Sequence, residues 1–187
     1  MRAYKGFNQD LTCTKGKGAF QYEVGKTYKE DNARCANTGF HCVEEPIEVL
    51  TWYSGEKARY CIVEAGGDVH EDGHDKIACT EMTILQEVTL QQLGALECKW
   101  IMEHPERKMS RHVCKKEGTA APGDIVIVRG KAPRASGGLG STIYLLKEAQ
   151  RGKEIEEIGV YEIDGKDFFP NVYYAVNGRR YRCGKKI

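Results

Sequence analysis

Arg59-Tyr60-Cys61-Ile62-Val63-Glu64-Ala65, closed by Gly66-Gly67, then Ile77-Ala78-Cys79-Thr80-Glu81-Met82-Thr83-Ile84-Leu85, then Thr89-Leu90-Gln91-Gln92 is the stretch on which the fold class turns. The first two runs carry the β-branched and aromatic residues that suit a pleated, half-buried surface, and they read as strands. Thr89 with Gln92 matches a capping box, in which hydroxyl and amide satisfy each other's free backbone donors. Leu90, Leu93, Leu96, Trp100 and Ile101 continue it as an amphipathic helix to about Met102.

Upstream, Arg2 to Phe7 and Phe20-Gln21-Tyr22-Glu23-Val24 read as two short strands joined across the Lys15-Gly16-Lys17-Gly18 turn, and Val24 to Tyr28 as a turn into an edge strand. Pro46 suits a first helical position, and Ile47, Leu50 and Tyr53 follow at helical spacing. Downstream, residues 103 to 124 are polar and basic without periodicity. Asp124 to Arg129 and Thr142 to Leu146 read as strands separated by a loop from Gly130 to Ser141. Asp164-Gly165 and Asn177-Gly178 are hairpin signals, because tight turns need positive φ. The expected fold class is α+β: a mixed N-terminal module with two helices over residues 1–103, a basic linker over 104–123, and a small antiparallel β-sheet over 124–187.

Composition is ordinary for a globular chain, 41% hydrophobic and 29% charged. No apolar run is long enough to span a bilayer, and the N-terminus carries no apolar signal core, so a cytoplasmic protein is expected. Eight cysteines without a secretion signal read as small buried hydrophobes. Charge is split along the chain: residues 1–98 hold 10 Lys+Arg against 16 Asp+Glu, and residues 99–187 hold 18 against 11, net −6 and +7. Such asymmetry suits a basic surface for nucleic acid or an acidic partner.

The run Ala3-Tyr4-Lys5-Gly6-Phe7-Asn8-Gln9-Asp10-Leu11-Thr12-Cys13, the segment Phe20 to Tyr28, Gly39-Phe40-His41-Cys42 and Arg59 to Ala65 together resemble an uncharacterised domain family of phages, prophages and gut Firmicutes. The resemblance covers roughly residues 1 to 102. Ile158 to Arg182 is similar to a terminal hairpin segment that often follows that domain. The resemblance implies a mobile-element origin and no particular reaction.

Several groups invite chemistry. His41, Cys42, His70 and His74, with Asp72 and Asp75, include zinc-type ligands; His70 and His74 have a usable spacing, but no thiol pair matches it, so no metal is expected. Ser136 to Thr142 is Gly-rich, yet it has no Lys before its Ser and no helix after it, so a hairpin loop is expected instead of a phosphate loop. The order Tyr4-Lys5-Gly6, Gly39-Phe40-His41, helix and strand is similar to ADP-ribosyltransferase-like domains. That likeness implies Lys5 near cofactor phosphates and Tyr53 as a stacking residue, with no glutamate identified. Cys42 next to His41 on a strand points the other way. No cofactor and no catalytic residue is assigned.

The basic residues are the preferred partner site: Arg107, Lys108, Arg111, Lys115 and Lys116, then Arg129, Lys131 and Arg134, then Arg179, Arg180, Arg182, Lys185 and Lys186. Such side chains neutralise phosphates, and Tyr181 among them suits base stacking. The expected function is a non-enzymatic binding protein of a mobile element that inhibits a host defence nuclease, an anti-CRISPR-type inhibitor of a Cas effector or its ribonucleoprotein. In this reading Glu44, Glu45, Glu71 and Asp72 mimic phosphates and the basic half contacts RNA or DNA. The alternatives are an NAD-dependent ADP-ribosyltransferase-like enzyme and a protein that sequesters a nucleotide signal.

Overall fold

The computed structural model describes residues 1–16, 18–71, 76–182 and 185–186, with 182, 185 and 186 described through their backbone. The chain is mostly β, 49% strand and 11% helix. This corrects the expected α+β class: the N-terminal part is no helical module, because Pro46–Thr51 forms only a short 3₁₀ helix and the capped helix belongs to the second compact unit. The units are Met1–Thr89 and Leu90–Ile187, so the chain divides before that helix and not after it.

The first unit contains β1 (Arg2–Phe7), β2 (Thr12–Gly16), β3 (Gly18–Gln21), β4 (Thr27–Lys29), β5 (Phe40–Cys42), β6 (Arg59–Glu71) and β7 (Ile77–Val88). β6 and β7 form a long antiparallel hairpin, with β1 on the outer edge of β6 and both β4 and β5 on β7. β6 does not end at Gly66-Gly67. Those glycines lie at a bulge, where the register shifts between Gly66 and Val69, and pairing resumes as far as Glu71. An isolated bridge between Tyr4 and Val43 joins the end of β5 back to β1, so the sheet curls round on itself. Ala3, Phe7, Phe40, Cys42, Cys61, Val63, Cys79, Met82 and Ile84 fill its concave face. Phe20, Tyr22, Tyr28 and Phe40 close one end as an edge-on aromatic cluster, with ring centroids 4.7 to 6.3 Å apart.

The second unit holds α1 (Leu90–Glu103), β8 (Val113–Ala120), β9 (Ile125–Gly137), β10 (Thr142–Glu148), β11 (Ile155–Glu162), β12 (Tyr173–Ala175), β13 (Arg180–Arg182) and β14 (Lys185–Lys186). Its seven-stranded sheet is mixed, not antiparallel: β9 runs parallel to both β8 and β10. The Gly138–Ser141 link is too short to carry the chain the length of β9, so β9 curls back toward its own start. Residues 130–133, which have no partner in β8, absorb the bend. Two expectations change for this reason. Val113–Ala120 is a strand and not linker, and the Gly-rich segment is the end of β9 plus a tight link in which Ser141 Oγ donates to Gly138 O at 2.7 Å. The Asn177-Gly178 turn does close the antiparallel β12–β13 hairpin, with Gly178 at φ 76°. β12 pairs not with β11 but with β9. Ile143, Leu145, Ile163 and Tyr174 are fully buried in the core that results.

Candidate functional site

The alternation of β1 places Ala3, Lys5 and Phe7 on the concave face and Tyr4 and Gly6 on the other. Lys5 is therefore a lysine in a core position, 7% exposed. Around it lies a cavity of about 490 Å³ within the first unit, walled by Cys13, Phe20 and Tyr22 from the β2–β3 side, Asn37 to Val43, and Trp52 and Tyr53 after the 3₁₀ helix.

Hydrogen bonding around Lys5 explains why the cavity exists. Tyr4 and Val43 exchange both backbone bonds, at 2.8 and 2.9 Å, on the side of β1 that faces away from β6. The next rung on that side would pair Gly6 with His41. Instead the Lys5 ammonium donates to the His41 carbonyl at 2.6 Å, and the Cys13 thiol donates to the Gly6 carbonyl at 3.6 Å. Side chains thus replace backbone partners, and the strands part. The Gly6 N–H, on the same edge, finds no acceptor among the described residues.

Gly6 is required by close packing. A Cβ there would sit 2.8 Å from Tyr53 Cβ. Tyr53 is held from its other end, where its hydroxyl accepts the Thr14 N–H at 3.1 Å and burial pushes the phenol up to about 12. Gly6→Ala is expected to cost about 1–3 kcal/mol, the usual price of overpacking. Urea unfolding checks this, and Gly6→Ala combined with Tyr53→Ala should relieve the clash.

His41 turns its ring away from Cys42, and its Nε2 accepts the Ala36 N–H at 3.0 Å. That bond requires an unprotonated nitrogen. Burial, then the positive charge of Lys5, holds the imidazole below its ordinary 6.5, against the opposing pull of the Gly39 and Arg34 carbonyls. The unfolded chain therefore binds more protons than the folded one just below pH 6.5, and stability falls as pH drops from there toward the folded value. The denaturation midpoint should decline over that window in the wild type and decline less in His41→Asn.

Three further ionisable groups of the cavity are engaged. Glu30 Oε2 accepts the Gly39 N–H at 3.0 Å, the Lys76 ammonium sits 4.2 Å from the Trp52 ring, and a bond with Cys79 together with burial pushes the Cys42 thiol well up.

Residues 1–96 match the model of a family described as a domain of unknown function (DUF7666). The chain belongs to that family. Neither a curated protein nor a solved structure matches it. The DUF7666 match holds the whole cavity, including every residue discussed above. Of the residues singled out by the likeness to ADP-ribosyltransferases, Lys5, Tyr53 and Gly39 to His41 do meet on the cavity wall. Sequence reasoning named Gly6 without a role and singled out none of Cys13, Glu30, Trp52 and Lys76 for the site. One signal was available, a lysine flanked by Ala3, Tyr4 and Phe7 in an otherwise core-forming strand.

Of the zinc-type residues, His41 and Cys42 line the cavity and His70 is exposed on β6, whereas Asp72, His74 and Asp75 lie outside the described residues. Among the described residues no cluster of metal-ligating side chains forms and no helix is long and apolar enough to cross a membrane.

The basic residues of the second unit divide into two sets. Arg107, Lys108, Arg111, Lys115, Lys116 and Arg179 are exposed. Four others make contacts inside the unit, although Lys131 and Arg180 are exposed as well. Arg129 is buried, donating from Nε to Glu148 at 2.9 Å and from Nη2 to the carbonyls of Pro105 and Lys153 at 2.7 Å. Lys131 donates to the carbonyls of Ala149 and Gly152. Arg134 stacks on Tyr181 at 4.3 Å, and Arg180 stacks on Phe169 at 4.9 Å while bonding to Asp167 O. Loop-closing contacts to carbonyls and rings thus take up charges that the sequence offers to a partner. The side chains of Arg182, Lys185 and Lys186 lie outside the described residues.

Proposed function

We propose that the DUF7666 domain of this chain is a receptor for a small organic molecule, which it binds in the cavity between β1, β5 and the segment after the 3₁₀ helix. The observation that carries the reading is the cavity itself, about 490 Å³, in the size range of ligand sites and walled both by aromatic rings, Phe20, Tyr22, Phe40, Trp52 and Tyr53, and by charged side chains, Lys5, Lys15, Glu30 and Lys76. The engaged state of His41, Tyr53, Cys42 and Glu30 favours retention of the ligand over its chemical conversion. This is the sequestering alternative in its general form, and NAD is one candidate ligand.

The test is to denature protein purified without heating, analyse the supernatant by mass spectrometry, and run thermal shifts with a metabolite panel that includes NAD. A ligand that binds only the folded state, present at a hundred times its Kd, adds about 2.7 kcal/mol, a readily measured shift. Release of a stoichiometric compound, or a saturable shift, is the expected result. An empty supernatant together with a silent panel would reject the receptor reading. Transfer of label from NAD to a protein or nucleic acid would instead favour the enzyme.

A second reading concerns the basic half. Lys108, Lys115 and Lys116 are exposed and form no ion pair among the described residues, which supports docking on RNA, DNA or a defence nuclease, as a mobile-element inhibitor would require. Lys115→Glu with Lys116→Glu should then weaken binding to a Cas ribonucleoprotein and restore DNA cleavage. Unchanged cleavage with wild-type protein across a nuclease panel rejects this reading.

A further inference from the structure

We infer that the molecule held in this cavity carries a carboxylate or phosphate group that seats between Lys5 Nζ and the Gly6 N–H. The inference rests on the reading of the cavity as a ligand site and specifies what the ligand must present there.

Lys5 is one of few charged side chains buried in the first unit, and no carboxylate among the described residues pairs with it. Taking an ammonium out of water is costly unless an opposite charge or a full set of acceptors replaces the solvent. Its bond to the His41 carbonyl accounts for one of three protons. The ring faces of Tyr22 at 5.2 Å and Phe7 at 5.7 Å offset part of the cost and bring no full negative charge.

The second donor is adjacent. Where β1 and β5 part, the Gly6 N–H is left on a buried edge that borders the cavity. Buried backbone donors are almost always paired, so an open one beside a buried cation marks a place for an acceptor. A carboxylate or phosphate has two or three oxygens on one centre and can accept from both donors at once. The local field agrees: Lys15 and Lys76 also line the cavity, and the lining carboxylate Glu30 is already engaged by the Gly39 N–H. A neutral ligand would leave Lys5 as costly as before.

The experiment uses the full-length chain, ¹⁵N-labelled, titrated with benzoate, phenyl phosphate, inorganic phosphate and the neutral isostere benzamide. At least one anionic probe should move the Gly6 amide resonance downfield and saturate. Benzamide should bind about tenfold more weakly or leave Gly6 unmoved. Lys5→Met should abolish the preference for the anion over benzamide, and Lys5→Arg should keep it. If benzoate and benzamide bind alike, if Lys5→Met leaves their ratio unchanged, or if no anion moves Gly6 at about 10 mM, the anion seat is overturned while the receptor reading stands. If neither these probes nor the metabolite panel moves any resonance of the cavity wall, the receptor reading itself fails. Should Lys5→Met not fold, Lys5→Gln with the same pair of probes gives the same decision.

Discussion

Arg129→Ala is expected to cost about 3–5 kcal/mol, the usual penalty for breaking a buried ion pair from one side. Arg129 is 5% exposed and bridges Glu148 on β10, Pro105 in the segment after α1, and Lys153 in the turn before β11. Removing the guanidinium leaves a carboxylate that is 18% exposed and two carbonyls without their donor. Lys131, 3.9 Å from Glu148, is too far to take over the hydrogen bond. For a unit of this size the loss translates into a melting point lower by roughly 12–30 °C. Arg129→Met combined with Glu148→Leu should recover most of it, because the uncompensated charge goes as well. A single variant within 1 °C of wild type would show that the cluster adds nothing to stability. The result also bears on the basic half, since an arginine that holds a strand and two connecting segments together is unavailable to a nucleic acid.

Local signals carried far in this chain. The strands Arg59 to Ala65 and Ile77 to Leu85, the helix from Leu90 and the Asn177-Gly178 hairpin all follow from residue type and spacing, and all are present. What local signals lack is partner choice. Nothing in Asp124 to Arg129 says that its neighbours run parallel to it, since a buried parallel strand and a buried antiparallel one can carry the same apolar run. The hairpin signal at Asp164-Gly165 is real as a turn, with Asp164 accepting the N–H groups of Lys166, Asp167 and Phe168, yet the chain beyond goes to β9. Pro46, Ile47, Leu50 and Tyr53 gave a helical spacing, but the six residues formed only a 3₁₀ turn, too short to make the N-terminal part helical.

The candidate site shows the same limit. Lys5 and Tyr53 were visible as residues of interest, but their relation depends on Gly6, whose missing Cβ lets Tyr53 approach β1. It depends also on a missing rung between β1 and β5, and a missing rung has no residue type of its own. Charge shows the complementary failure. Thirteen basic residues look alike in the sequence, whereas Arg129, Lys131, Arg134 and Arg180 are taken up by carbonyls and rings inside their own unit.

Lys5→Met should make the ligand-free protein more stable, by about 1–2 kcal/mol, while it removes the preference for anionic ligands. The side chain lies on the concave face between Ala3 and Phe7, where a methionine of similar length packs against Tyr22 and Phe7 without a charge to desolvate. One cost runs the other way: the His41 carbonyl loses its donor, a loss of about 1 kcal/mol that the relief of the buried ammonium must exceed. His41 gives an independent readout. Loss of the Lys5 charge removes one of the causes that hold its imidazole low, so its titration should move up toward 6.5 in the variant. Urea unfolding of ligand-free protein and the pH dependence of the His41 ring signals measure the two effects separately. A variant less stable than wild type with His41 unmoved would mean that Lys5 is a structural prop whose charge the fold already satisfies. A more stable variant with His41 shifted upward and anion preference lost is the pattern of a residue kept at a cost to the fold for the sake of what it binds.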